Sequence, residues 1–335
     1  HDWNRILEVL KMLVGLQPWL ANAKCRRAGH TILMRIAAHS CTKPEFFKSV
    51  LDFLLEGRSV VDLESADKWG CTAAVLAIES RSSSVEYLRL LIQARASLTS
   101  VHDYGNILHS AAQYASIEML EFLRTRDIVV DWKLQSRKRG WTAWDEFRWR
   151  MTGDDIQLLE YGNTRPSVAE AHTFALLYSE VRDRCLQQEH DFLEAVAGCS
   201  RGGEMVGNLE ILRDWYEEMG CEADLGTVIV VENQIRNGML DAAHETLVDK
   251  MADCRLHMRR SPWMYGSVID PDEDKEDYQD AYKQFDDLLF EKFGTEAHFF
   301  GVGKPSEGRS EEEGGGMEEG RGGEEGGNEE QEGGL

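Results

Sequence analysis

The stretch HDYGNILHSAAQYASIEMLEFLRT, from His102 to Thr125, decides the fold of this chain. A polar turn ending in Gly105 is followed by apolar residues at helical spacing, a short break and a second stretch rich in leucine. Glycine permits the positive φ of a tight turn, and the small residues Ala111 and Ala112 let neighbouring helices approach closely. The stretch therefore predicts a turn followed by two packed helices.

The same arrangement recurs along the first 165 residues, as AGHTIL from Ala28, WGCTAA from Trp69 and RGWTAW from Arg139. The four glycines are separated by 41, 35 and 35 residues, at Gly29, Gly70, Gly105 and Gly140. Recurrence at such a period is typical of repeat proteins, in which each unit packs on its neighbours. We expect a partial unit at 1–24 and units at about 25–65, 66–101, 102–136 and 137–163.

These units resemble ankyrin repeats, most closely in the L-H-x-A-A and I-E-x-L-x-x-L patterns of the third unit. The resemblance implies an all-α, ankyrin-repeat solenoid that binds other proteins without enzymatic activity, similar to ankyrin proteins of filamentous fungi. The chain departs from the family pattern at four positions. Asn106 replaces the helix-opening threonine, Met34 and Val75 replace a histidine, and Arg95 stands where the family usually has a glycine.

Beyond Pro166, we expect a helical extension over 166–260 with two to four helices packed on the repeats. A long helix is predicted within SVAEAHTFALLYSEVRDRCLQQEHDFLEAVAG after Pro166 and a shorter one from Asn208, with RGGEMVGN from Arg201 as a flexible connector. The stretch from Thr227 begins like a strand, but we favour helix throughout, with Gly238 as its weak point. An acidic segment at 261–302 with an amphipathic helix at 276–293, and a disordered Gly/Glu-rich tail at 303–335, complete the prediction.

The charge of the chain is unevenly distributed. The net charge is −23, of which residues 1–165 carry +2, residues 166–302 carry −17 and residues 303–335 carry −8. Nucleic acid is therefore a poor partner, since phosphate binding needs a basic footprint. A membrane is also excluded as a partner, because no apolar run approaches the roughly 20 residues of a spanning helix.

The cysteines indicate where the protein works. Seven cysteines, widely spaced and without a CxxC motif, favour free thiols in a reducing compartment. We therefore expect an intracellular protein of the cytoplasm or nucleus. Because the chain begins at His1 and ILEVLKMLVGL from Ile6 fits the second helix of a repeat whose first helix is missing, we expect a fragment of a larger protein.

No motif of catalysis or cofactor binding occurs in the sequence. Phosphate-binding loops, GxSxG, HExxH and kinase signatures are all missing, so no catalytic or cofactor-binding residue is predicted. The nearest metal pattern is His244 with Cys254 and His257, but its fourth ligand is undetermined and ordinary packing is favoured. His109 is expected to bond neighbouring backbone.

The candidate binding residues lie at the turn tips, which in ankyrin proteins line up and commonly contact partners. Arginine and aromatic side chains are the types that dominate interface energetics; the alternative is that tips are polar only because they are exposed. The candidates, for an unidentified protein partner, are Arg26, Arg27, Lys68, Trp69, His102, Tyr104, Arg137, Lys138, Arg139 and Trp141.

Three alternatives stay open at the level of sequence. The amphipathic segment 276–293 either closes the core or docks in the groove of a partner. The acidic tail could lie across the basic tips and compete with an acidic partner, a contact that would be salt-sensitive. Finally, the chain could be the recruiting C-terminal arm of a multidomain enzyme or receptor-like ATPase whose catalytic domain lies upstream of His1.

Overall fold

The computed structural model describes residues 3–38, 43–56, 61–80, 85–153, 155–160, 163–199 and 201–259, which are mostly helical. Their α-helices are α1 (Trp3–Leu16), α2 (Ile32–Ala37), α3 (Pro44–Glu56), α4 (Ala73–Glu79), α5 (Val85–Gln93), α6 (Ile107–Tyr114), α7 (Ile117–Arg124), α8 (Ala143–Thr152), α9 (Asp155–Glu160), α10 (Val168–Ala197), α11 (Gly202–Met219), α12 (Glu222–Arg236) and α13 (Leu240–Arg259). A 3-10 helix spans Pro18–Asn22. No strand occurs within these ranges, so the all-α class is confirmed for them.

Several predictions concern other residues. The acidic segment 261–302 with its amphipathic stretch, the tail 303–335 and the contact between tail and tips all lie outside the described residues. Among the helices that are described, none has both the length and the apolar character that a membrane span requires.

Polar side chains start the helices where the sequence suggested. Thr31 and Thr142 each accept a hydrogen bond from the backbone N–H three residues on, and Asn106 accepts one from Leu108. These bonds satisfy amide donors that the first turn of a helix leaves without partners. Thr72 occupies the same position before α4, but its side chain makes no such bond. The helix starts are thus fixed by short-range chemistry.

Helices α1 to α8 stack in two rows. One row contains α2, α4, α6 and α8, and the second contains α1, α3, α5 and α7, with consecutive members of each row in contact. The core between the rows is made of large side chains with almost no exposure, among them Leu33, Phe47, Leu54, Ile78, Tyr87, Leu88, Leu108, Leu120 and Phe147. We refer to this two-row assembly as the array.

Two features of the array are the left-handed ending of α5 and the exposed apolar side chains of α1. Arg95, at the end of α5, has φ +70°, and the N–H of the next residue, Ala96, bonds the carbonyl of Leu91. This left-handed helix ending is the one that glycine usually makes, which explains the family preference at this position. At the other end, α1 exposes the apolar residues Ile6, Val9, Met12, Leu13 and Leu16.

Helix α10 continues the second row beyond α7. The Tyr178 hydroxyl donates to the Trp132 carbonyl at 3.0 Å, and the Cys185 thiol donates to the Val130 carbonyl. The Arg124 guanidinium forms an ion pair with Glu180. By contrast, α9 leaves the side chains of Ile156 and Leu159 exposed. The long helix therefore lies beside α7, where the pattern of earlier pairs would place the second helix of a fourth unit.

Helices α10 to α13 form a bundle. Each packs against the next, and α13 returns to α10, so that the four close on one another. The number of helices agrees with the expectation of two to four. Gly238, with φ +73°, separates α12 from α13, and the stretch after Thr227 is helical, as expected.

The connector predicted at RGGEMVGN is wrong, because α11 begins at Gly202. Met205 is buried in the bundle, and a Cβ on Gly202 would lie 3.3 Å from the Ile235 side chain and 3.6 Å from that of Leu240. Close packing thus overrides the low helix propensity of three glycines.

A charged network ties the array to the bundle. The Lys250 ammonium lies 2.6 Å from the Asp224 carboxylate and 3.4 Å from that of Glu189, which also accepts from the Tyr216 hydroxyl at 2.7 Å. Lys133, on the loop after α7, reaches Asp224 at 3.4 Å. Although burial lowers the pKa of Lys250, the two carboxylates outweigh it and hold that pKa above its usual value. The lysines are therefore charged and bridge both parts of the fold.

Candidate functional site

Backbone hydrogen bonds join the four turns into one continuous edge. The N–H of Lys68 bonds the Ala28 carbonyl at 3.1 Å, and the N–H of Asp103 bonds the Trp69 carbonyl at 2.8 Å. The N–H of Lys138 in turn bonds the Asp103 carbonyl at 3.1 Å. We call this edge the tip ribbon and define it as residues 25–30, 67–71, 102–105 and 136–141.

Glycine allows the turns to approach so closely. A Cβ on Gly29 would lie 3.0 Å from the Lys68 nitrogen, and a Cβ on Gly70 would lie 3.0 Å from the Cα of His102. Both glycines also have positive φ, at 81° and 85°. Gly29 and Gly70 therefore set the distance between the first three turns.

Seven of the sequence-predicted residues are exposed along the tip ribbon: Arg26, Arg27, Lys68, Trp69, Tyr104, Arg137 and Lys138. Trp69 is 39% exposed and Tyr104 is 37% exposed, which is high for side chains of this size. The ribbon thus presents basic and aromatic groups in one row. Such a surface can form ion pairs with carboxylates and cation–π or stacking contacts.

The structure corrects the prediction for His102. Its side chain is only 3% exposed and points toward α6, where its Nε2 lies 3.4 Å from the Ser110 hydroxyl. It is therefore not part of the exposed row.

Arg139 and Trp141 occupy a more enclosed position. The Arg139 guanidinium pairs with the buried Glu146 at 2.7 Å and lies over the rings of Trp141 and Trp149, at 5.2 and 5.0 Å from their centroids. The charge of Arg139 is therefore compensated within the fold, whereas Lys138 is exposed.

The row of first helices carries polar groups next to the ribbon. Ser110 donates to Glu79 at 3.1 Å, and Gln113 donates to Glu146 at 2.6 Å. Burial raises the pKa of Glu79 to about 7; it also raises the pKa of Glu146, against the opposing effects of Gln113 and Arg139. The sequence did not single out these buried carboxyl groups.

His109 joins two consecutive units, as expected of a histidine bonded to backbone. Its Nδ1 accepts the N–H of Asn106 at 3.2 Å, so its Nε2 carries the proton and donates to the Trp141 carbonyl at 3.0 Å. This pairing requires the neutral ring. Burial lowers the pKa of His109 to about 4.

We expect the free energy of unfolding to fall by about 3 kcal/mol through His109 as pH decreases. The folded-state pKa is below the unfolded value, so this stability is complete above about pH 6.5 and is lost between pH 6.5 and 4. Urea titrations at a series of pH values, with His109→Gln as the comparison, measure it. The variant should show a shallower acid dependence; parallel curves for both proteins would contradict the assignment.

A cleft of about 780 Å³ lies between the array and the bundle. Its lining combines acidic and basic side chains from both, including His102, Asp131, Lys133, Arg137, Glu218 and Asp224. The sequence gives no signal for it, because these residues meet only when α11 and α12 dock beside the third and fourth turns.

No protein-family model matches the chain, and no curated protein matches it in sequence. The resemblance to ankyrin repeats therefore depends on the residues and patterns quoted above.

The metal pattern suggested by spacing does not assemble. Cys254 is buried beside Glu189, and the His257 ring lies 6.5 Å from that of Trp132, whereas His244 joins neither in a ligand group among the described residues. Instead, Cys71, Glu79 and His102 come together, with one potential ligand atom of each within 4.8 Å of the others. Sequence reasoning missed this group because its members come from two units.

Proposed function

We propose that this chain is a non-enzymatic protein-interaction module, an ankyrin-like scaffold whose tip ribbon contacts a partner protein. The observation that supports the proposal is the ribbon itself, a continuous edge held by backbone hydrogen bonds between turns. Exposed basic and aromatic side chains follow one another along it. A fixed backbone lowers the entropy lost on binding.

The chemistry of the row favours an acidic partner. Five of its side chains, Arg26, Arg27, Lys68, Arg137 and Lys138, are basic and exposed. Trp69 and Tyr104 between them offer the aromatic contacts found at interface hot spots. All six described cysteines are free thiols, and we propose an intracellular setting for the interaction.

The test compares two variants of the full chain in affinity capture from native extract, followed by affinity measurement with the purified partner. The tip variant carries Arg26→Ala, Lys68→Ala, Tyr104→Ala and Lys138→Ala. We expect it to bind at least about tenfold more weakly than the unaltered chain, since hot-spot truncations cost 1 kcal/mol or more each. The loss should shrink at high salt, where charge attraction is screened.

The matched control removes similar side chains elsewhere. Lys11, Lys48 and Arg89 are exposed charges on helices of the second row, and Trp19 is an exposed aromatic residue. Replacing these four with alanine should leave affinity unchanged. If the tip variant folds, as judged by circular dichroism, and binds the same partner as strongly as this control, the tip ribbon is not the binding surface.

A further inference from the structure

Cys71, Glu79 and His102 form a compact group at the junction between the second and third units. Cys71 lies two residues before α4, Glu79 is the last residue of that helix, and His102 opens the third turn. Their potential ligand atoms all lie within 4.8 Å of one another. Cys71 and His102 are each 3% exposed, while Glu79 is half-buried.

Within this group, the His102 imidazole lacks good hydrogen-bond partners. The Nδ1 atom of His102 is buried and has no hydrogen-bond partner, and its Nε2 makes only a long contact of 3.4 Å with Ser110. A buried polar atom without a partner costs about 1–3 kcal/mol. The side chain of His102 is thus held inside the array without the bonds that would normally accompany its burial.

The three side chains are the types that bind zinc. Cysteine sulfur, histidine nitrogen and glutamate oxygen coordinate Zn²⁺ at about 2.0–2.3 Å. On a tetrahedral ion, ligands at these distances are about 3.3–3.8 Å apart. The present atoms lie within 4.8 Å of one another, so binding would require them to move closer together by about 1 Å or more.

Metal binding would require Cys71 and Glu79 to lose their protons, since burial raises the pKa of Glu79 to about 7 and that of the Cys71 thiol well above its usual value. Burial lowers the pKa of His102 to about 4, which leaves the imidazole neutral, as metal binding requires. With Cys71 and Glu79 deprotonated, their two negative charges would equal the charge of one divalent cation.

We propose that Cys71, Glu79 and His102 bind a zinc ion that joins the second and third units, with a water molecule as the fourth ligand. Ser110, which donates to Glu79 at 3.1 Å, orients the carboxylate as outer-shell groups do in metal sites. Because His102 lies between the tips of Trp69 and Tyr104 in the ribbon, the ion would hold these two tips at a fixed separation. The site does not depend on the proposed partner binding.

The experiment titrates metal-stripped full chain with Co²⁺, a spectroscopic substitute for zinc. Coordination by Cys71 produces a thiolate-to-cobalt charge-transfer band in the near ultraviolet, which equimolar Zn²⁺ should abolish. The band should be absent in Cys71→Ala. It should remain in Cys221→Ala, which removes a buried thiol of the bundle.

A second measurement covers the case in which Cys71→Ala fails to fold. Zn²⁺ should raise the midpoint of thermal unfolding of the unaltered chain, because a ligand that binds only the folded state stabilises it. Glu79→Gln, which keeps the size and the Ser110 contact, should lose most of that shift. No charge-transfer band in the unaltered chain, a band that survives in Cys71→Ala, or an equal thermal shift in Glu79→Gln would each overturn the proposal.

Discussion

Replacing Gly105 by alanine is expected to lower the free energy of unfolding by about 3–5 kcal/mol. Gly105 has φ +119°, and a Cβ there would lie 2.2 Å from the Cγ atom of the His109 ring. The ring would have to move, breaking its bonds to Asn106 and to the Trp141 carbonyl. Backbone strain at positive φ adds about 1–2 kcal/mol. Urea denaturation followed by circular dichroism measures the change.

Gly140→Ala provides the matched control. Gly140 also has positive φ, at 68°, but a Cβ there would meet no atom within 4 Å. This variant should lose only the backbone contribution of about 1–2 kcal/mol. If both alanine variants were destabilised equally, the hydrogen bond from His109 to the Trp141 carbonyl would not contribute to stability.

Phe174→Ala should have an effect of similar size, about 3–5 kcal/mol. Phe174 has no exposed surface, and its ring stacks on that of Phe147 with centroids 4.3 Å apart. Trp144 and Tyr178 lie against it at 6.1 and 6.2 Å. Truncation would leave a cavity where α10 meets α8, because rings from two helices cannot collapse together easily.

The comparison for Phe174 is Val168→Ala, on the first turn of the same helix. Val168 is 43% exposed, so its truncation should cost less than about 0.5 kcal/mol. Chemical denaturation of the two variants, followed by tryptophan fluorescence and circular dichroism, distinguishes them. Equal losses would show that the aromatic contact between α8 and α10 does not stabilise the fold.

The sequence predicted best what local chemistry determines. Turns with glycine at positive φ and helix starts at Thr31, Asn106 and Thr142 depend on neighbours a few residues away, so the recurrence places the helices of the array. The backbone bonding of His109 was predictable for the same reason, since its partner at Asn106 is three residues away.

Contacts between distant segments were not predictable from the sequence. The sequence predicts that His102 is exposed at a turn tip, yet packing against α6 buries its side chain. The glycines after Arg201 indicate a loop, but contacts of Gly202 with α12 and α13 make them helical. The group of Cys71, Glu79 and His102 requires the stacking of two units, which no spacing along the chain reveals.

Helix α10 belongs to the array through α7 and through the rings of Trp144 and Phe147 on α8, and to the bundle through α11 and α13. In repeat proteins each unit is stabilised mainly by its neighbours, so terminal units ordinarily fray. Here α10 packs against α7 and α8, whereas α1 leaves apolar side chains exposed. We therefore expect the backbone amides of α1 and α3 to exchange hydrogen first. Those of α7, α8 and α10 should exchange last, as one cooperative unit.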